Sequence, residues 1–167
     1  MKTISKLVGI ALFSLLVPLV TFAASPDVLV VVNGNTETNR EAYNYIRKTF
    51  AANSLPYTLA ATLSPASVKS GQYKSVVVLN TGTTSGLDPV LQKFITGYGD
   101  KKNLYLVNLY KDHGDTSVVP FQAASNAEGV DGVTAASTWM KPFTDNSKVQ
   151  TMHQTWIRDL VRFLGRS

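Results

Sequence analysis

The sequence predicts an α/β domain: an open, doubly wound and mostly parallel sheet with helices on both faces. Three observations carry that expectation. A continuous, largely β-branched run occurs at Val28–Val32, and strand-like runs follow at Ser75–Asn80 and Leu104–Tyr110; the first is as expected for a strand covered on both faces. Helical apolar spacing lies between most of these runs and again at the end of the chain, the alternation that builds parallel sheets. Neither an internal repeat nor a second domain is visible along the 167 residues.

The first 23 residues stand apart from the fold. Lys2 and Lys6 precede a largely apolar run from Leu7 to Val20, and the small residues of TFAAS follow. This is the layout of a secretory signal peptide, with a core short for a membrane span. Cleavage is expected after Ala23 or Ala24, leaving a domain at 24–167 that is secreted or periplasmic and has no membrane span. An uncleaved anchor is the alternative. No cysteine lies near the cleavage point for a lipid anchor.

The elements then follow in order. Val28–Val32 is the first strand. Glu37–Ala51 places Ala42, Tyr43, Ile46 and Phe50 at helical spacing and reads as an amphipathic helix. Tyr57–Ala60, after Pro56, is a short second strand. Ser64-Pro65 reads as a cap with a first-turn proline, opening a brief piece that ends at Gly71. Ser75–Asn80 is the third strand. Asp88-Pro89 again pairs a cap with a first-turn proline; Val90, Leu91, Phe94, Ile95 and Tyr98 form the expected buried face, and Gly97 and Gly99 the stop. Leu104–Tyr110 is the fourth strand. The polar stretch Lys111–Gly129 shows no helical period and reads as a long loop, a feature that is often functional. Val130–Ala136 is the last strand, weakened by Gly132. Ser147 caps a final helix with Val149, Met152, Trp156, Leu160 and Phe163 or Leu164 on one face. His153 is expected at its surface or boundary, and Trp139 as a packing residue or a pocket edge.

Composition excludes several function classes. Cysteine is absent, so packing alone must hold the domain and thiolate metal sites are ruled out. With two histidines, His113 and His153, a zinc centre is not expected. Without Lys2 and Lys6 the 16 basic side chains fall to 14 against 11 acidic, a net charge of +3. Those charges are scattered, and no nucleic-acid surface is indicated. The chain contains no Gly-x-Ser-x-Gly elbow, no Walker-type phosphate loop and no dinucleotide fingerprint.

Ligands of open α/β sheets bind beyond the carboxyl ends of the strands, where the strand order reverses. Those ends fall at Asn33–Thr38, Asn80–Leu87, Tyr110–Thr116 and Ala136–Met140, and three of the four are rich in Gly, Thr, Ser and Asn. The first leads straight into a helix, so free N–H groups and the positive end of the helix dipole meet there. Gly34 allows close approach, and Thr36 and Thr38 add hydroxyls. Two accounts compete: an anion-binding turn, or ordinary capping by Asn35 or Thr36.

At these ends the chain resembles a known family. Gly34-Asn35-Thr36-Glu37 is similar to the Thr-Gly-Asn-Thr-Glu phosphate loop after the first strand of flavodoxins. Tyr73–Ile95 resembles their third strand, flavin-side loop and following helix. Val130–Ser137 is similar to the last strand of shortened, exported or reductase-associated members. The resemblance to a flavodoxin-like family spans nearly all of 24–167. It implies a five-stranded parallel sheet in the order 2-1-3-4-5 with a reduced or missing fourth helix. The implied cofactor is FMN, or a similar phosphate-bearing ligand, held by Asn33, Gly34, Asn35, Thr36, Glu37, Thr38, Thr81, Gly82, Thr83 and Thr84. Tyr110 would be a stacking face. Electron transfer to a redox or envelope protein would follow.

Two rivals rest on the residues. Thr81–Gly86 contains no aromatic residue to stack on an isoalloxazine ring, and Val31 stands where the family carries a hydroxyl; both favour a cofactor-free binding or accessory domain. His113 with Asp112 and Asp115 is the one local cluster of titratable groups, and it motivates a periplasmic hydrolase.

Overall fold

The computed structural model describes residues 26–82, 84–111, 116–121, 129–137 and 146–166. The expected signal peptide, and the expectations placed on Thr83, Asp112, His113, Asp115 and Trp139, lie outside the described residues.

The elements are β1 (Val28–Val31), α1 (Glu37–Ala52), β2 (Leu59–Thr62), β3 (Ser75–Gly82), α2 (Pro89–Gly97), β4 (Leu104–Lys111), β5 (Ser117–Pro120), β6 (Asp131–Ser137) and α3 (Ser147–Leu164), with single 3-10 turns at Pro65–Ser67 and Lys101–Asn103. The sheet runs β2-β1-β3-β4-β6-β5. Every neighbouring pair is parallel except β5 with β6. Five parallel strands in the order 2-1-3-4-5 is therefore corrected to a six-stranded mixed sheet. The added strand, β5, interrupts what the sequence presents as one long loop. It is four residues long, largely exposed, and ends in Pro120, so no long apolar alternation announces it. A proline is tolerated there because an edge strand needs no second row of hydrogen bonds.

Two core layers explain the continuous apolar runs. Val28, Val30 and Val32 of the first strand region, Val77 and Leu79 of β3, and Tyr105, Val107 and Leu109 of β4 face α1 and α3. Their alternate neighbours Leu29, Val31, Val76, Val78, Leu104 and Leu106 face α2. A strand whose successive side chains point to opposite faces is thus apolar throughout when both faces are covered. Ala42, Ile46 and Phe50 dock α1 at i, i+4 spacing, and Val149, Met152, Trp156 and Leu160 dock α3.

Local chemistry sets the helix starts. The Thr36 hydroxyl accepts the Asn39 N–H at 3.1 Å, and the Asp88 carboxylate accepts the Val90 and Leu91 N–H groups at 2.8 and 3.2 Å, with Pro89 in the first turn. The cap of α3 is Asn146 rather than Ser147; its side-chain oxygen accepts the N–H groups of Lys148 and Val149 at 3.0 and 3.3 Å. Ser64 makes no side-chain cap bond. The second strand begins two residues later than expected, since Leu59 is the residue in register with Val28; Tyr57 instead packs its ring on Phe50. Val90, expected in the core, is 47% exposed.

Gly132 is a requirement of β6 rather than a weakness. It lies opposite Leu106 of β4, and a Cβ at that position would come 2.4 Å from the Leu106 carbonyl oxygen. His153 is likewise corrected: it is fully buried, and its Nδ1 accepts the indole N–H of Trp156 at 2.8 Å.

At the amino ends of the strands, Asp27 ties three strand starts together. Its carboxylate accepts the Thr58 N–H and hydroxyl at 3.2 and 3.0 Å and pairs with Lys74, while its carbonyl accepts the Ser75 N–H. The Lys74 ammonium first, then the Thr58 donors, hold the carboxyl down from 3.8 to about 2. A carboxyl depressed on folding stabilises the fold above its unfolded value and loses that contribution as pH falls through its folded one. Acid titration of stability is therefore expected to be steeper in the wild type than in Asp27→Asn between pH 3.8 and about 2. Circular dichroism of the two proteins across that window checks it; parallel curves would contradict the clasp.

Candidate functional site

Because β1, β3 and β4 are adjacent and parallel, the segments leaving their carboxyl ends share one crest. Thr81 of β3 donates its hydroxyl to the Asn39 side-chain oxygen at 2.6 Å. Asn33, just past β1, donates its amide to Asp88 at 3.0 Å. The fold therefore brings Asn33, Gly34, Asn35, Thr36 and Thr81 into one hydrogen-bonded assembly. Glu37 and Thr38 open α1. Gly82 and Tyr110 are register partners, which puts Tyr110, half-buried, beside the end of β3. Thr84 is exposed on the loop beyond it. Asp112 and His113, the proposed acid–base pair, and Thr83 lie outside the described residues.

The centre of the assembly is Asn39, a residue that sequence reasoning missed. It is 5% exposed. Its amide donates to the carbonyls of both Asn33 and Gly34, each at 3.0 Å. Arg40 adds a third grip, donating to the Asn35 carbonyl at 2.9 Å and to the Asn35 side chain at 3.2 Å. No described peptide bond is cis, and in a trans peptide the N–H points opposite to the C=O. Holding the Asn33 and Gly34 carbonyls against the buried Asn39 therefore turns the N–H groups of Gly34 and Asn35 away from it, while Arg40 fixes the Asn35 carbonyl, and with it the Thr36 N–H, at the surface. The chain reverses at Gly34, whose φ of +76° suits glycine. A Cβ there would meet nothing within 4 Å, so conformation rather than space selects glycine. Residues 34–37 are all exposed: the turn is open to solvent, and it precedes a helix N-terminus. Successive N–H groups presented before a helix N-terminus have the chemistry to receive an anion. Thr36 also caps the helix, so capping and an open turn coexist on the same residues.

The neighbouring loop is held from below. Asn80 and Asn108 are register partners on β3 and β4, and the Asn80 amide donates to the Asn108 side-chain oxygen at 2.7 Å. Asn80 also reaches the Gly86 carbonyl at 3.2 Å and accepts the Asp88 N–H at 2.9 Å. Asn108 reaches the Ser85 carbonyl at 2.9 Å. Both amides are buried and would be costly to leave unpaired. The signal for them was present in the sequence: each is an amide inside an otherwise apolar strand.

Three charged side chains flank the turn: Arg40 bonded to Asn35, Glu37 at the start of α1, and Asp88 bonded to Asn33. Burial pushes the Asp88 carboxyl up, but the Asn33 amide and the two α2 N–H groups outweigh it, and the net displacement is downward. Asp88 is therefore ionised at neutral pH. It is spent on Asn33 and the cap of α2, yet its field opposes an anion nearby. Among the described residues no group of three His, Asp or Glu could hold a metal ion, and no helix is long and apolar enough to cross a membrane. Compared with models of protein families and with curated proteins, the chain matches none.

Proposed function

We propose that this chain is a small-molecule-binding domain that seats a phosphate-bearing ligand on the turn Gly34–Thr38, with FMN the ligand its resemblance to flavodoxins implies. The observation that carries this reading is the triple grip on the carbonyls of Asn33, Gly34 and Asn35 by Asn39 and Arg40. It pre-orders an exposed row of donors before any ligand arrives, which lowers the ordering cost of binding. The phosphate end of FMN fits these residues. For the ring, Tyr110 is the aromatic residue available, while Thr81–Gly86 supplies none. Bound flavin would supply electron-transfer chemistry; the residues of the turn would hold and orient it. The signal-like layout of the first 23 residues supports reading this activity as one exerted outside the cytoplasm.

A second reading, a cofactor-free accessory domain, is favoured by Asp88, whose ionised carboxylate stands next to Asn33. Titrating purified protein with FMN and, separately, with inorganic phosphate separates the two. A ligand at a hundred times its Kd adds about 2.7 kcal/mol of stability, so saturating FMN is expected to raise the thermal midpoint by roughly 5–10 °C and to lose its own fluorescence. An unmoved midpoint with undiminished flavin fluorescence, and no response to phosphate, would leave the cofactor-free reading standing.

A further inference from the structure

On the face of the sheet covered by α2, and away from the turn, a groove of about 810 Å³ runs between the 3-10 turn at Pro65–Ser67 and α2. Its walls are largely apolar: Pro65, Val68, Val90 and Phe94 contribute, and Val90 is 47% exposed although it lies on a helix. Two lysines, Lys69 and Lys93, are exposed and line the same groove, with no carboxylate among its lining residues. Neither is paired with an acidic group among the described residues. Tyr98, 4% exposed and tilted against the Phe94 ring, also lines it.

A concavity of this size is that of a small-molecule site. Its composition defines the ligand class. An apolar floor rewards burial of hydrocarbon; the ammonium groups of Lys69 and Lys93 reward a negative head at the groove wall, with Asp100, whose charge reaches Tyr98, beyond its Gly99 edge. We propose that this groove binds a small amphipathic anion, an apolar chain or ring ending in a carboxylate, sulfate or phosphate. The lysines take the head, and the Val68, Val90 and Phe94 side chains take the body. Charge complementarity selects this occupant over a neutral or cationic amphiphile. The groove is separate from the Gly34 turn, so the fate of one reading does not decide the other.

The test is calorimetric titration of the purified chain with dodecanoate below its micelle concentration, beside dodecanol and dodecylamine. Saturable binding of one dodecanoate per chain is expected, with dodecylamine much weaker. The paired exposed substitution Lys69→Glu/Lys93→Glu is expected to raise the dodecanoate Kd by roughly tenfold or more, about 1.4 kcal/mol for each decade, while leaving dodecanol and the circular dichroism spectrum unchanged. Val90→Asp, also at an exposed site, should weaken both amphiphiles. Absence of saturable dodecanoate binding, or binding indifferent to the lysine pair, overturns the proposal. So does a dimer in sedimentation that Val90→Asp dissociates and dodecanoate does not, since a second copy would then be the occupant.

Discussion

Trp156→Ala is expected to destabilise the protein by about 3–5 kcal/mol, the range for removing a buried large aromatic. Three consequences add up at this one position. The side chain is fully buried between α3 and the sheet, so its loss opens a cavity that a packed core refills poorly. Its edge contacts with the rings of Tyr45 and His153, at centroid distances of 5.6 and 5.9 Å, disappear. The indole N–H that donates to His153 Nδ1 at 2.8 Å is removed as well, leaving an acceptor in the core without its donor. Nδ1 accepts, so the neutral ring carries its proton on Nε2. Trp156→Phe keeps a ring in the site and removes the indole N–H with a smaller cavity; about 1–3 kcal/mol is expected from the lost hydrogen bond, with a smaller cavity cost added. Urea denaturation of wild type and both variants measures these losses. A cost for Trp156→Ala under about 1 kcal/mol, typical of a surface change, would contradict the placement of α3.

The second large effect is on binding. Asn39→Leu keeps a similar volume but strips the turn of the amide that grips two carbonyls and of the oxygen that receives the Thr81 hydroxyl. The Asn33 and Gly34 peptides are then free to rotate, and their N–H groups no longer present as a row. Phosphate or FMN affinity is expected to fall by roughly tenfold to a hundredfold, about 1.4 kcal/mol per decade. Stability should drop by about 1–3 kcal/mol from the buried groups left unpaired. Asn39→Asp separates geometry from charge: a carboxylate accepts from Thr81 but cannot donate to the carbonyls. It is expected to bind no better than Asn39→Leu. Full affinity in either variant would mean that the turn does not depend on its inner clasp.

How far the sequence led is itself physical. The buried strands β1, β3 and β4 were legible because burial on both faces makes most of their residues apolar. The starts of α1 and α2 were legible because a hydroxyl or carboxylate cap acts within three residues. β5 was not, since a four-residue edge strand buries too little to impose a pattern. His153 sat on the same stripe as Val149, Trp156 and Leu160, four and three residues from its neighbours, and that spacing was the available clue to its burial. Asn39 gave no such clue. It lies in the polar run Glu37–Arg40, and its role depends on Thr81, 42 residues away. The Asn80–Asn108 pair is similar: each amide interrupts an apolar strand, but only strand register makes them partners.

Nitrogen–proton correlation spectra recorded while inorganic phosphate and then FMN are added test the central claim most directly, because they report on individual N–H groups. Saturable downfield displacement of the Gly34, Asn35 and Thr36 amides, lost in Asn39→Leu, is the expected result. Amides at this turn that stay still while the ligand binds elsewhere, or that stay still at every concentration, would contradict it.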